Sequence, residues 1–176
     1  MKNKYLTLFL VANVLILLDQ YSKFLVIAHL PLYHSIEVID GFFNLTHVRN
    51  PGVAFGLLAG LESQYKAWVF VLISTVAIIA ILVIYHHTPK EHRMVRIGLI
   101  LIFSGAIGNL IDRIVYKEVV DFLDVFYQGY HWPAFNFADS CITIGVGLMI
   151  LDLFQKHPKQ LLSSNASKES LDDHQR

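Results

Sequence analysis

The chain has 176 residues, of which 55% are hydrophobic and only 16% charged, and its mean hydropathy is +0.50. Soluble domains carry roughly 25% charged residues, so the deficit marks a membrane protein. Fourteen Lys and Arg balance fourteen Asp and Glu, which argues against a nucleic-acid partner, and a single cysteine, Cys141, excludes an intrachain disulfide.

A helix needs about 20 apolar residues to cross the hydrocarbon core. The first candidate span covers about residues 5–28. Lys2 and Lys4 precede it, as in a cleaved signal peptide, but no small-x-small cleavage site follows and the apolar run continues through Phe24–Ala28. It therefore reads as an uncleaved span. In the next segment, 30–65, Ser35–Ile39 alternates, Asp40-Gly41 gives a turn, and Phe42–Val48 is aromatic and β-branched, which predicts a hairpin. Residues 57–66 read as a short amphipathic helix at the interface. The second and third spans cover about 67–85 and 94–114. Segment 115–132 holds a third strand candidate, Val119–Phe126. The fourth span covers about 133–154, and the polar stretch 156–176 reads as a disordered tail.

The expected fold is mainly α: one integral-membrane domain over 1–155, with four transmembrane helices, a small extracytoplasmic β-sheet and a short interfacial helix. Lys2, Lys4, Lys90, Arg93, Arg96, Lys156 and Lys159 outnumber Arg49, Lys66 and Lys117 on the other side, so both termini are assigned to the cytoplasm.

Ionisable groups at membrane depth are costly and mark functional sites. At 1.5 Å per residue, Asp19 lies roughly 21 Å along the first span, with Ser22 and Lys23 one turn on. Asn109, Asp112 and Arg113 share a face at the outer end of the third span. Asn136 and Asp139 open the fourth, and Asp121 lies in the outer segment before it. All of these map near the outer boundary. Taken singly, Asp19 with Lys23 and Asp112 with Arg113 read as structural ion pairs, and Asp139 as a helix-dipole partner. Taken together they predict a shared site.

Two carboxylates that approach closely retain one proton between them. One then acts as general base on a water while the other polarises a carbonyl, with no metal and no cofactor. Competing chemistries are weak here. Ser22 and Lys23 are adjacent and point apart. The nine histidines include no His-Glu-x-x-His string, so no metal site is assigned. Cys141 reads as a packing residue. Asp112 and Asp124 rival the pair: Asp112 is expected to pair with Arg113, and Asp124 stands an odd number of residues past Asp121, on the opposite face of a strand.

Five strings occur in order: Asp19-Gln20-Tyr21-Ser22-Lys23, Asn50-Pro51-Gly52-Val53-Ala54-Phe55-Gly56, Gly108-Asn109-Leu110-Ile111-Asp112-Arg113, Val119-Val120-Asp121-Phe122 and Phe135-Asn136-Phe137-Ala138-Asp139-Ser140. Over roughly residues 5–155 the chain resembles the lipoprotein signal peptidases, bacterial signal peptidase II. The resemblance implies an aspartic endopeptidase of the bacterial inner membrane. Such an enzyme removes signal peptides from prolipoproteins, cutting before a diacylglyceryl-modified cysteine. It implies Asp121 and Asp139 as the catalytic pair, and it is what prefers Asp121 to Asp124. It assigns substrate-positioning or structural roles to Asp19, Lys23, Asn50, Gly52, Asn109, Arg113 and Asn136. The partners implied are lipidated prolipoprotein signal peptides and membrane lipids, with the enzyme a monomer. The outer sheet then corresponds to the family's cradle and 57–66 to its lid helix.

Two other classes are weighed against it. A small proton-coupled transporter or relay subunit would use Asp19, Asp112 and Asp139, but the inner halves of the spans hold almost no ionisable group besides Asp152. A non-catalytic scaffold would merely bind lipoprotein precursors.

Overall fold

The computed structural model describes the backbone of residues 2–52 and 63–172, and the side chains of 4–52 and 65–155. Its helices are α1 (Lys2–His29), α2 (Ser63–His87), α3 (Arg93–Tyr116) and α4 (Phe137–Asp172). Four helical segments, Lys4–His29, Tyr65–His87, Arg93–Tyr116 and Phe137–Gln155, are long and apolar enough to cross a membrane. Their outward faces carry large exposed side chains such as Phe9, Leu17, Leu72, Ile79 and Leu153. In water such a surface would drive aggregation; in a bilayer it is the lipid contact.

Contacts between helix ends fix the directions. Lys23 near the end of α1 meets Asp112 near the end of α3, so these two run the same way. Lys117, just past α3, lies 4.9 Å from the Trp68 ring at the start of α2, and Asn109 of α3 bonds Asp139 at the start of α4. The helices α2 and α4 therefore run opposite to α1 and α3. At the other end of the bundle, Lys4 donates to the carbonyls of His86 and Thr88, satisfying the open C-terminus of α2. The Tyr85 hydroxyl in turn donates to the Lys4 carbonyl at 2.8 Å. The local core there is Leu8, Tyr85, Leu99 and Ile100.

The pair α3 and α4 packs through small residues, because lipid supplies no hydrophobic drive between helices and close approach must replace it. A Cβ on Gly105 would collide with the Ala138 carbonyl oxygen, and one on Gly98 would lie 2.7 Å from the Gly145 carbonyl oxygen.

Strands β1 (Ser35–Ile39), β2 (Phe43–Asn50), β3 (Val119–Tyr127) and β4 (Tyr130–His131) form an antiparallel sheet in the order β1-β2-β3-β4. The hairpin turns at Asp40-Gly41, with Gly41 at φ +68. β1 is exposed throughout, whereas β3 is buried from Val119 to Phe122, where it meets the bundle. The sheet thus caps the end of the bundle where α1 and α3 finish.

The structure departs from the sequence reading in three places. α4 starts at Phe137 and not near Pro133, because Phe135 is drawn into backbone bonds with Leu123 of β3. The strand β4 was not expected. The backbone past Gln155 is helical to Asp172 where composition predicts disorder; a helix already nucleated gains a hydrogen bond for each residue it adds. Of the expected interfacial helix, 57–62 lie outside the described residues, and from Ser63 the chain is already in α2.

Candidate active site

The site forms where the ends of α1 and α3, the start of α4 and the strands β2 and β3 meet. Its base is a buried ion cluster. Lys23 Nζ lies 2.9 Å from Asp19 Oδ2 and 2.9 Å from Asp112 Oδ2, and donates to Asn109 Oδ1 at 3.0 Å. That uses all three ammonium protons. Asp19 is 1% exposed, Lys23 2% and Asp112 0%. A buried charge persists only when paired and hydrogen-bonded, and this set meets that condition. Gln20 closes the cluster by donating to Asp19 Oδ2, Asp112 Oδ1 and the Gly108 carbonyl. Asp112 was expected to pair with Arg113. Its ion partner is Lys23 instead, and its Oδ2 also accepts the Val120 N–H at 3.0 Å, which ties α3 to β3.

The ion cluster positions α4. Asp19 Oδ1 accepts the Ala138 N–H at 2.9 Å, so α1 satisfies one of the open donors at the α4 N-terminus. Asn136 and Asp139 satisfy two more reciprocally. The Asn136 side chain accepts the Asp139 N–H at 2.9 Å, and the Asp139 carboxylate accepts the Asn136 N–H at 3.3 Å. This is a capping box with Asn and Asp in the Ser/Thr and Glu positions. It fixes the rotamer of Asp139.

Asn136, 0% exposed, also reaches the other carboxylate: its Nδ2 donates to Asp121 Oδ1 at 2.8 Å and to Asn109 Oδ1 at 3.1 Å. Asn109 Nδ2 donates to Asp139 Oδ1 at 2.7 Å. Asp121 and Asp139 are thus joined through Asn136; among the described residues no hydrogen bond links them directly. The second oxygen of Asp121 accepts from Asn50 Nδ2 at 2.9 Å. Asn50 is itself held by an Asx turn, in which its Oδ1 accepts the Gly52 N–H at 2.8 Å. Gly52 adopts φ +81, and a Cβ there would lie 2.5 Å from Phe70. Both facts demand glycine.

Burial raises Asp121 to about 6 from an ordinary 3.8. The Asn50 hydrogen bond works against that rise, the Asp139 charge adds to it, and Asn136 and Lys23 oppose it. Arg113 donates to the Asn109 carbonyl at 3.3 Å, lies 5.3 Å from the centroid of the Phe70 ring, and interacts electrostatically with Asp139, Asp112 and Asp121. Beside Asp139, an open groove of about 600 Å³ is lined by Trp132, Pro133, Phe135, Thr143 and Ile144.

All nine residues singled out in the sequence therefore meet at one locus: Asp121, Asp139, Asp19, Lys23, Asn50, Gly52, Asn109, Arg113 and Asn136. Residues 53–56 of the second string lie outside the described residues. Asp124 has a separate set of partners, Asn44 and His131. Sequence reasoning gave no role to Gln20, to Phe70 or to the groove. A glutamine between two members of a polar face was a signal for the first; nothing local marked the others. Among the described residues no group of three or more His, Cys, Asp or Glu is arranged to hold a metal ion.

A family model of signal peptidase (SPase) II matches residues 11–155. The chain belongs to the signal peptidase II family. It is 49% identical over 150 residues to a lipoprotein signal peptidase of Desulforapulum autotrophicum, covering 85% of this chain and 93% of that one. It is 46% identical over 158 residues to a lipoprotein signal peptidase of Syntrophus aciditrophicus, covering 89% and 98%. A solved bacterial membrane enzyme at 37% identity superposes with a TM-score of 0.76, over 85% of this chain and 94% of that one. These likenesses span the four helices and the sheet, so this signal peptidase II member has the membrane fold of its relatives and the protease class of its family.

Proposed function

We propose that this signal peptidase II member is an aspartic endopeptidase that removes the signal peptide from diacylglyceryl-modified prolipoproteins, cutting just before the lipidated cysteine. The observation that carries the reading is the bridge of Asn136 between Asp121 and Asp139, in a site beside an apolar groove. Two carboxylates in mutual electrostatic range do not both ionise easily, so the reaction starts with one ionised and one protonated. The ionised member takes a proton from water as the water attacks the scissile carbonyl. The neutral member gives its proton to the carbonyl oxygen. Collapse of the tetrahedral intermediate then breaks the C–N bond: the proton taken from water passes to the leaving amine, and one hydroxyl of the intermediate returns its proton to the pair as the carboxyl product forms.

Asn136, Asn109 and Asn50 hold the carboxylates by donating to them, and Arg113 supplies positive charge where negative charge develops. Asp19, Lys23 and Asp112 keep the start of α4 in place. The substrate's apolar portion lies against the groove beside Asp139. The lysine and arginine bias assigns both termini to the cytoplasm and the site to the outer face.

The test is mass spectrometry of the products formed by purified enzyme from precursor with and without its diacylglyceryl group. A product beginning at the modified cysteine, from the lipidated form only, is the expected result. Cleavage elsewhere, or equal cleavage of both forms, overturns the specificity.

A further inference from the structure

The β3–β4 hairpin carries a second carboxylate that the dyad does not use. His131 Nδ1 lies 2.8 Å and 3.1 Å from the two oxygens of Asp124, and Asn44 of β2 donates to Asp124 Oδ2 at 2.9 Å. The His131 ring stacks on Phe126, with centroids 4.8 Å apart and planes at 13°. Asp124 is buried, while the His131 side chain is 52% exposed. A carboxylate this well satisfied, two residues past the stretch of β3 buried against the bundle, shares no partner with Asp121 among the described residues.

Its effect falls on the segment that follows. β4 is only two residues long and pairs with β3 through Phe126–His131 and Tyr127–Tyr130 alone. Directly after His131 come Trp132 to Phe135, which form one wall of the groove beside Asp139, and then Asn136, which bridges the two aspartates. The wall is tied to β3 at its two ends: the Trp132 N–H donates to the Val125 carbonyl at 2.9 Å, the Phe135 N–H donates to the Leu123 carbonyl at 3.0 Å, and the Phe135 carbonyl accepts the Phe122 and Leu123 N–H groups at 3.0 and 2.8 Å. Between these points Pro133 offers no N–H to any ladder. The contacts of His131 with Asp124 and Phe126 are therefore side-chain anchors, among the described residues, at the start of the wall.

We propose that His131, acting through Asp124, is a positioning residue that sets the Trp132–Phe135 wall and thereby how tightly the groove holds the substrate's apolar portion. This rests on the peptidase reading for the identity of the substrate. The wall's dependence on His131 does not.

The test uses the full chain with Trp68→Phe, which leaves Trp132 as its only tryptophan. In that background His131→Ala raises KM for lipidated precursor by about 5-fold or more and leaves kcat within about 2-fold, because binding and not chemistry is disturbed. Acrylamide quenching of Trp132 rises. His131→Gln, whose amide still donates to Asp124, restores most of both. KM and quenching equal to those of the parent overturn the proposal, as does a fall in kcat at unchanged KM. A parent that leaves precursor uncut overturns the peptidase reading, and Trp132 quenching still decides the role of His131.

Discussion

Asn50 works as a pair of contacts: one end of its amide is locked to the Gly52 N–H, and the other is aimed at Asp121. Because that N–H favours the ionised carboxylate, Asn50→Ala lifts Asp121 further above its value of about 6. If ionisation of the pair sets the acid limb of kcat/KM, the limb then moves to higher pH, by about half a unit to one unit. A pH profile of precursor cleavage reads this directly, and an unmoved limb, or one moved to lower pH, contradicts it. At this scale the sequence was partly informative. Spacing on helices put Asp19 with Lys23 and Asn136 with Asp139, and those contacts exist. The same local reasoning paired Asp112 with its neighbour Arg113, whereas the ion partner comes from another helix, which no spacing along α3 encodes. The preference for Asp121 over Asp124 came from the family motif. The structure gives the two residues disjoint partners, as the period of a strand implies.

The four helices were legible because a run of apolar residues long enough to span a bilayer has few alternatives. Their ends were less so. Asn136-x-x-Asp139 is a capping box in a form that departs from the usual residues, and reading it as one would have started α4 at Phe137. The short strand β4 left too weak a pattern to find, since two residues have no period. Close packing of α3 on α4 is what brings Asn109 to Asp139. Gly105→Ala tests it: the new methyl would meet the Ala138 carbonyl, one residue before Asp139. The helices must part, at a cost of about 1–3 kcal/mol. Expected outcomes are a lower Tm in detergent and a lower kcat. Wild-type Tm and kcat together would show that the close approach is unimportant.

At the scale of the molecule, helices that each bury little are assembled around one polar locus. Asp19, Lys23 and Asp112 link α1 to α3, Asp19 caps α4, Asp112 holds β3, and Asn50 brings in β2. Depth along the helices foretold this convergence, since each polar group fell near the same boundary. Depth did not foretell contact, which depends on helix rotation and on the sheet's register. The bridge of Asn136 to both aspartates is where that contact is made, and in the proposed function these two carboxylates do the chemistry. The most direct measurement is the cleavage rate of lipidated precursor by Asp121→Asn and Asp139→Asn enzymes whose Tm in detergent matches the parent. The predicted result is a fall of at least about 10³-fold for each, as expected when a general acid or base is removed. A rate within about tenfold of the parent from either folded variant would contradict it.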